Sequence, residues 1–422
     1  MKLDRKIVSW ALYDWANSAF ATTVMAGFFP VFFKQYWSAG TDATVSTFQL
    51  GLANSLAGIV VAALTPILGA IADRGSSRRK FLLFFASMGI VMTGSLCFVQ
   101  KGDWHIAAAI YVIALVGFSC GNMFYDSLLV DVAEEHRLDF VSALGYALGY
   151  LGGGILFTLN VAMTLNPQLF GLADSGQAIR LSFASVAVWW AVFSIPVVVF
   201  VKEKGTPAGR EGISAVKAGL KQLSTTFKKI RRLRVVFLFL AGYWLYIDGV
   251  DTIIRMAVDY GLSLGFSYDS LILALLITQF VGFPSAIAFG KIGEVIGTKK
   301  GIFIAVGVYL GITVWGFFMS VELEFYVLAA LIGTVQGGVQ SLSRSFYARI
   351  IPRNQAGEFF GFYNMIGKFA AVLGPALMGW IGVLTGNPRY AILSISLLLL
   401  AGVTVLYFVD EKEGSRLARE ME

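Results

Sequence analysis

Charged side chains are scarce in this sequence: Asp, Glu, Lys and Arg make up 14% of 422 residues, against 57% hydrophobic ones. A water-soluble protein of this length would lack the polar groups to cover its surface, so lipid must be the solvent for much of the chain. Cysteine is nearly absent. Cys97 and Cys120 fall inside apolar runs, which excludes an extracellular disulfide framework and a cysteine metal site of recognisable spacing; both read as packing residues. Histidine occurs only as His105 and His136, and neither a Gly-x-x-x-x-Gly-Lys-[Ser/Thr] phosphate loop nor a paired metal-ligand motif occurs. An enzyme, a bound cofactor or metal, and an ATP-driven pump are therefore not expected.

What the sequence does have is a repeated apolar stretch of about 20 residues, the length of helix that crosses a bilayer core. Spans are expected near 8–33, 48–72, 81–100, 104–125, 140–164, 180–201, 235–258, 269–290, 301–320, 325–345, 358–384 and 389–409. Runs such as Ala391 to Val409 lack period-two alternation, so they read as helices and not as barrel strands. The first run follows Lys2, Arg5 and Lys6 and exceeds a signal-peptide core, so it reads as a retained first helix. With both termini placed in the cytoplasm, only Lys34, Lys101, Arg180 and Arg389 of the 33 Lys and Arg residues fall outside, and only Arg255 and Lys368 within spans. That bias sets the orientation and suits a cell inner membrane. Spread over short loops, the same charges form no nucleic-acid surface.

Residues 202–234 form the only long polar break, with the cluster Lys228, Lys229, Arg231 and Arg232 near its end. It divides the chain into a bundle over 1–201, a cytoplasmic linker over 202–234 and a bundle with a tail over 235–422. Polar landmarks recur between the halves. Gly69, Asp73, Arg78 and Arg79 match Gly290, Glu294, Lys299 and Lys300 at one offset of 221 residues, and Asp14 and Asn17 match Asp248 and Asp251 at 234. A longer loop after the first helix absorbs the difference between the offsets.

The string Gly69-x-x-x-Asp73-Arg74-Gly75-x-x-Arg78-Arg79 resembles the cytoplasmic loop motif of the major facilitator superfamily, with one extra residue before the Arg pair. More narrowly, Trp10-Ala11-Leu12-Tyr13-Asp14-Trp15-Ala16-Asn17-Ser18-Ala19-Phe20 and Tyr246-x-Asp248-Gly249-Val250-Asp251-Thr252-Ile253 resemble the unknown major facilitator family, which includes fungal vacuolar amino-acid effluxers. The resemblance implies an all-α membrane protein of twelve helices in two six-helix bundles, a secondary transporter that rocks the bundles around a central site. A weaker similarity, an Asp followed closely by Asn in the first helix, is to cation-coupled sugar symporters.

Each ionisable group in a span costs roughly 2.5–3.5 kcal/mol to insert and needs a partner, an aqueous cavity or a function. Asp14 and Asn17 share one helical face, as do Asp248, Asp251, Arg255 and Asp259. These faces line the central cavity and exchange a proton or Na⁺, or they are permanent ion pairs that fix packing, Asp251–Arg255 above all. Asp259 reads as interfacial. Asn364 and Lys368 stand four apart; Lys368 pairs a substrate carboxylate or an Asp across the cavity, or snorkels to an interface. Gln279, Gln336 and Gln340 line the pore or bond between helices. For the gate, Gly69, Asp73, Arg74, Arg78 and Arg79, with Gly290, Glu294, Lys299 and Lys300, either latch the cytoplasmic side through an acid at a neighbouring helix N-terminus or mark topology alone. Asp126, Asp131, Glu134, Glu135 and Asp139 form an acidic patch able to receive the arginines.

The expected function is monomeric, ion-coupled secondary transport of a small polar metabolite, an amino acid only through the resemblance. A sugar symporter and a non-transporting receptor or scaffold are the alternatives.

Overall fold

The computed structural model describes residues 4–75, 77–203, 233–266 and 268–421, and all regular structure among them is helical. Twelve helices among these residues are long and apolar enough to cross a membrane: α1 (Arg5–Trp37), α2 (Val45–Gly75), α3 (Arg78–Phe98), α4 (Trp104–Val132), α5 (Glu135–Leu165), α6 (Ser175–Phe200), α7 (Arg234–Ala257), α8 (Ser270–Ile296), α9 (Thr298–Phe318), α10 (Glu322–Ile350), α11 (Arg353–Thr385) and α12 (Pro388–Tyr407). A short polar helix, α13 (Glu411–Glu420), follows. Each expected span overlaps one of them. Most of the expected linker, including Lys228 to Arg232, and the side chain of Asp259 lie outside the described residues.

The surface is inverted relative to a water-soluble protein: Val295, Phe98 and Val383 are 81%, 82% and 84% exposed, as side chains facing acyl chains should be. Helix starts carry ordinary polar caps. Asp4 accepts from the Lys6 amide at 3.2 Å, and Asp174 from the Gln177 amide at 2.7 Å. Pro66, Pro196, Pro284 and Pro375 sit inside α2, α6, α8 and α11, where each removes a backbone hydrogen bond and permits a bend. In α1 the turns widen to π geometry over Phe20–Phe28 and Phe33–Trp37, where a cluster including Phe29, Phe33, Trp37 and Tyr111 packs.

The two bundles meet chiefly through α2 against α11 and α5 against α8, with α5 also touching α10. Three helices run further than the sequence suggested. α2 carries Gly69, Asp73 and Arg74 on its last turns, α4 continues past Asp126 and Asp131, and α10 continues past Arg344 to Ile350. Charges that read as helix exits are paired inside the protein, so they did not end the helices.

Candidate functional site

Arg344 is at the centre of the site. At the very end of the expected tenth span, 325–345, it counts with the basic residues of the following loop; in the structure it is 1% exposed, on the inner face of α10. Its guanidinium fork is filled: Nη1 donates to Asp126 Oδ1 at 2.9 Å, Nε to Ser142 Oγ at 2.9 Å and Nη2 to the Ser142 carbonyl at 2.8 Å. The rings of Tyr146, Trp10 and Tyr125 lie 4.4, 5.0 and 5.3 Å from its carbon. A rigid planar cation can meet all these partners at once, which a lysine cannot. Arg344 thus ties α10 of the second bundle to α4 and α5 of the first. The stripe Gln336, Gln340, Arg344, stepping by four, was the signal for it.

Asp14 stands beside this knot with its carboxylate 4.0 Å from the Arg344 guanidinium. It accepts instead from Ser18 Oγ at 3.1 Å and from the Tyr125 hydroxyl at 3.3 Å. Asn364 donates to Asp126 at 3.4 Å and to the Phe360 carbonyl at 3.1 Å. Asp14, Asp126, Asn364, Arg344, Gln340, Asn122, Tyr125, Tyr146, Tyr243 and Tyr363 line a polar cavity of about 230 Å³, together with Asp251, Arg255 and Lys368. Tyr243 and Tyr363 stack at 4.3 Å. Asp251 has Arg255 and Lys368 as charged neighbours, yet none of the three makes a hydrogen bond or an ion pair within 4.0 Å among the described residues. The permanent Asp251–Arg255 pair that the spacing allowed is therefore not formed in this structure.

Three of the expected binding residues lie elsewhere. Asn17 is buried and donates to Asn122. Gln336 lines a separate, largely apolar cavity of about 260 Å³. Asp248 is fully buried and accepts from the amides of Leu373 at 3.1 Å and Gly374 at 3.0 Å, just before Pro375 interrupts the ladder of α11. The contact leaves no space for a larger residue: a Cβ on Gly374 would lie 1.9 Å from Thr252 Oγ1. The matched pairs have thus exchanged faces. Asp14 of α1 lines the cavity and Asn17 holds a neighbour, while in α7 Asp251 lines the cavity and Asp248 holds a neighbour. Three residues turn a helix by about 300°, so a relative rotation of about 60° is enough for the exchange.

At the end carrying the basic loops, Asp73 accepts from the amides of Gly357 at 2.9 Å and Glu358 at 2.7 Å in the first turn of α11, where the helix dipole favours an anion. Arg78 lies 3.5 Å from Asp73 and 3.1 Å from Asp131, and donates to the Ser127 carbonyl at 3.0 Å. Gly69 makes the approach possible: a Cβ there would sit 2.1 Å from the Gly357 carbonyl oxygen. Arg79 caps the end of α6 through the Val198 and Val201 carbonyls, and Lys299 likewise caps α12 through Tyr407 and Val409. Gly290 packs on Ala143 of α5.

The acid of the second copy departs from the pattern. Glu294 is exposed and makes no hydrogen bond or ion pair among the described residues. Asp139, on the first turn of α5, takes the place: it accepts from Ser345 at 2.5 Å, Thr298 at 2.9 Å and Arg349 at 3.1 Å and packs on Gly293. A second carboxylate at that spot would be repelled. Arg74 is half-buried at the end of α2, and Lys300 is exposed.

Residues 39–419 match the family described as vacuole effluxer Atg22 like. An uncharacterized MFS-type transporter of Bacillus subtilis, YxiO, is 40% identical over 98% of this chain and 96% of its own length. Autophagy-related protein 22 of Yarrowia lipolytica is 26% identical over 83% of this chain and 73% of its own. Among solved structures, the proton:xylose symporter XylE superposes with a TM-score of 0.70 over 97% of this chain and 95% of that one, at 12% identity, a likeness of fold. The chain is a multi-pass membrane transporter of the major facilitator fold, and it belongs to the vacuole effluxer Atg22-like family.

Proposed function

We propose that the protein moves a small zwitterionic metabolite, an amino acid, by alternating access around the polar cavity. The observation that carries this reading is the sorting of charge along the cavity wall. Asp14 and Asp126 surround one cation, Arg344, and leave a formal excess of one negative charge; Asp251 faces two cations, Arg255 and Lys368, and leaves an excess of one positive charge. An ammonium group at the first cluster and a carboxylate at the second match both excesses. A neutral sugar leaves both clusters unmatched after desolvation, and a receptor or scaffold has no need of such a wall. Asp14, with Arg344 already held by Asp126, is the carboxylate available to carry a coupling proton. The Lys and Arg distribution supports an orientation with the basic end and both termini in the cytoplasm, and the reading is of a monomer in a cell inner membrane.

The test is uptake by purified protein in liposomes, with labelled amino acids and sugars offered under a pH gradient or a Na⁺ gradient. Amino-acid accumulation driven by the pH gradient is expected. Accumulation of sugars alone would overturn the substrate assignment, and dependence on Na⁺ alone would replace the proton.

A further inference from the structure

A second cavity, of about 370 Å³, adjoins the first and is lined by residues of α1, α2, α4, α7 and α11. Arg255 and Lys368 line both cavities and so form the wall between them. The remaining polar groups of the second cavity are Asn54, Ser55 and Ser119, and among the described residues no Asp or Glu lines it. Asn54 is already engaged, donating to the Leu50 carbonyl at 3.0 Å and accepting from the Tyr111 hydroxyl at 3.2 Å. Ser119 is not: it is 4% exposed, and its hydroxyl has no hydrogen-bond partner among the described residues. A buried hydroxyl without a partner is costly, and two cations facing an acid-free cavity within a membrane protein are costlier still. The groups left open are two cations, which can only donate, and a hydroxyl free to turn its proton toward an acceptor.

We propose that this cavity is an anion site that holds a carboxylate between Arg255, Lys368 and the Ser119 hydroxyl. Charge-assisted hydrogen bonds from two cations and a hydroxyl satisfy a carboxylate's lone pairs as no neutral group would. The carboxylate belongs either to the transported metabolite as it passes the wall or to a small free organic acid. The proposal stands on the donors of this compartment and does not depend on which metabolite the polar cavity carries.

Trifluoroacetate is the probe, followed by its ¹⁹F line width with the full chain in uncharged detergent at fixed ionic strength. Saturable broadening that acetate reverses is expected. Ser119→Ala should weaken binding about tenfold through the lost donor. Gly58→Leu should abolish it: Gly58 lines the cavity, and a Cβ there meets nothing within 4 Å, so the added side chain fills open space. Gly307→Leu, where a Cβ also meets nothing but which lies on the exposed face of α9, should leave broadening unchanged. Melting curves without probe confirm that each variant is folded. Competition by an amino acid identifies the metabolite's carboxylate as the source, and competition by acetate alone identifies a free anion; both support the site. Absence of saturable broadening, or equal broadening in wild type, Ser119→Ala and Gly58→Leu, overturns it. Trifluoroacetate carries no ammonium group, so a failed amino-acid assignment leaves this result readable.

Discussion

Asp14 and Asp248 occupy matched places in the two halves of the sequence, but their carboxylates have different work. Asp14 faces the polar cavity and accepts from two hydroxyls, one on each carboxylate oxygen; an asparagine keeps one of these bonds and its amide can donate to the other hydroxyl, which also accepts, while Arg344 keeps Asp126 at 2.9 Å without it. Asp14→Asn is therefore expected to abolish gradient-driven uptake while changing stability by less than about 1 kcal/mol. Asp248 accepts from two backbone amides with two different oxygens. Asp248→Asn turns one acceptor into a donor facing a donor and should cost about 1–3 kcal/mol. Paired transport and melting measurements separate the two, and an Asp14→Asn variant as unstable as Asp248→Asn would assign Asp14 to architecture. Arg344→Lys gives a second contrast. One ammonium cannot reach Asp126, Ser142 Oγ and the Ser142 carbonyl together, so loss of uptake and a lowered melting temperature are expected, whereas full uptake would remove Arg344 from the site. The acids of helices one and seven were legible because charge inside an apolar run is conspicuous. Arg344 was not, since an arginine near the end of a run reads as the first residue of a basic loop, and only its distant partners Asp126 and Ser142 show otherwise.

The helices themselves were legible, because length and apolarity are one-dimensional properties; their ends were not, because burial of a charged end depends on a neighbour far away in sequence. The close of α2 against α11 shows what this decides. Gly69 and Asp73 act together there, one by allowing contact with the Gly357 carbonyl and the other by capping the first turn of α11. Gly69→Ala places a carbon where backbone oxygen already stands, and no rotamer relieves that, so the two helices must part. Asp73→Asn keeps the shape and loses most of the charge-assisted cap, a smaller push; a difference of 1.4 kcal/mol already shifts a two-state balance tenfold. With Cys97 and Cys120 replaced by alanine, Ser341→Cys reports the opening, because Ser341 is fully buried where α10 meets α5. Labelling is expected to rise in both variants, more in Gly69→Ala. Unchanged labelling in both would reduce the motif to a marker of charge distribution. The sequence repeat also led to Glu294 as a second latch, and there the fold used a different residue: Asp139 enters from α5, since a repeat copies positions on one helix and not the charge on its neighbour.

Across the molecule, the ties between bundles gather at the basic end: Asp73 on α11, Arg344 on Asp126 and Ser142, Arg349 on Asp139, and Arg419 on Glu135 at 2.6 Å. The last of these joins α13 to the start of α5. α13 travels with the second bundle, since Gly414 packs tightly on Ile350 and Val235, while Glu135 belongs to the first. Both partners are well exposed, 66% and 40% by side chain, so the pair is worth at most about 1 kcal/mol and hinders motion little. Its value is positional, because it marks two points that must separate if the bundles rock open at this end. A cysteine pair, Glu135→Cys with Arg419→Cys in the background lacking Cys97 and Cys120, bridged by a short bifunctional maleimide, should run normally before bridging. After bridging, uptake should stop while stabilisation of the protein by its transported metabolite persists, because the polar cavity lies away from the tether. A monofunctional maleimide on the same pair should leave uptake intact. Undiminished uptake by fully bridged protein would mean that the basic end does not open by separation of the two bundles, and the rocking mechanism would have to be replaced by movement within one of them.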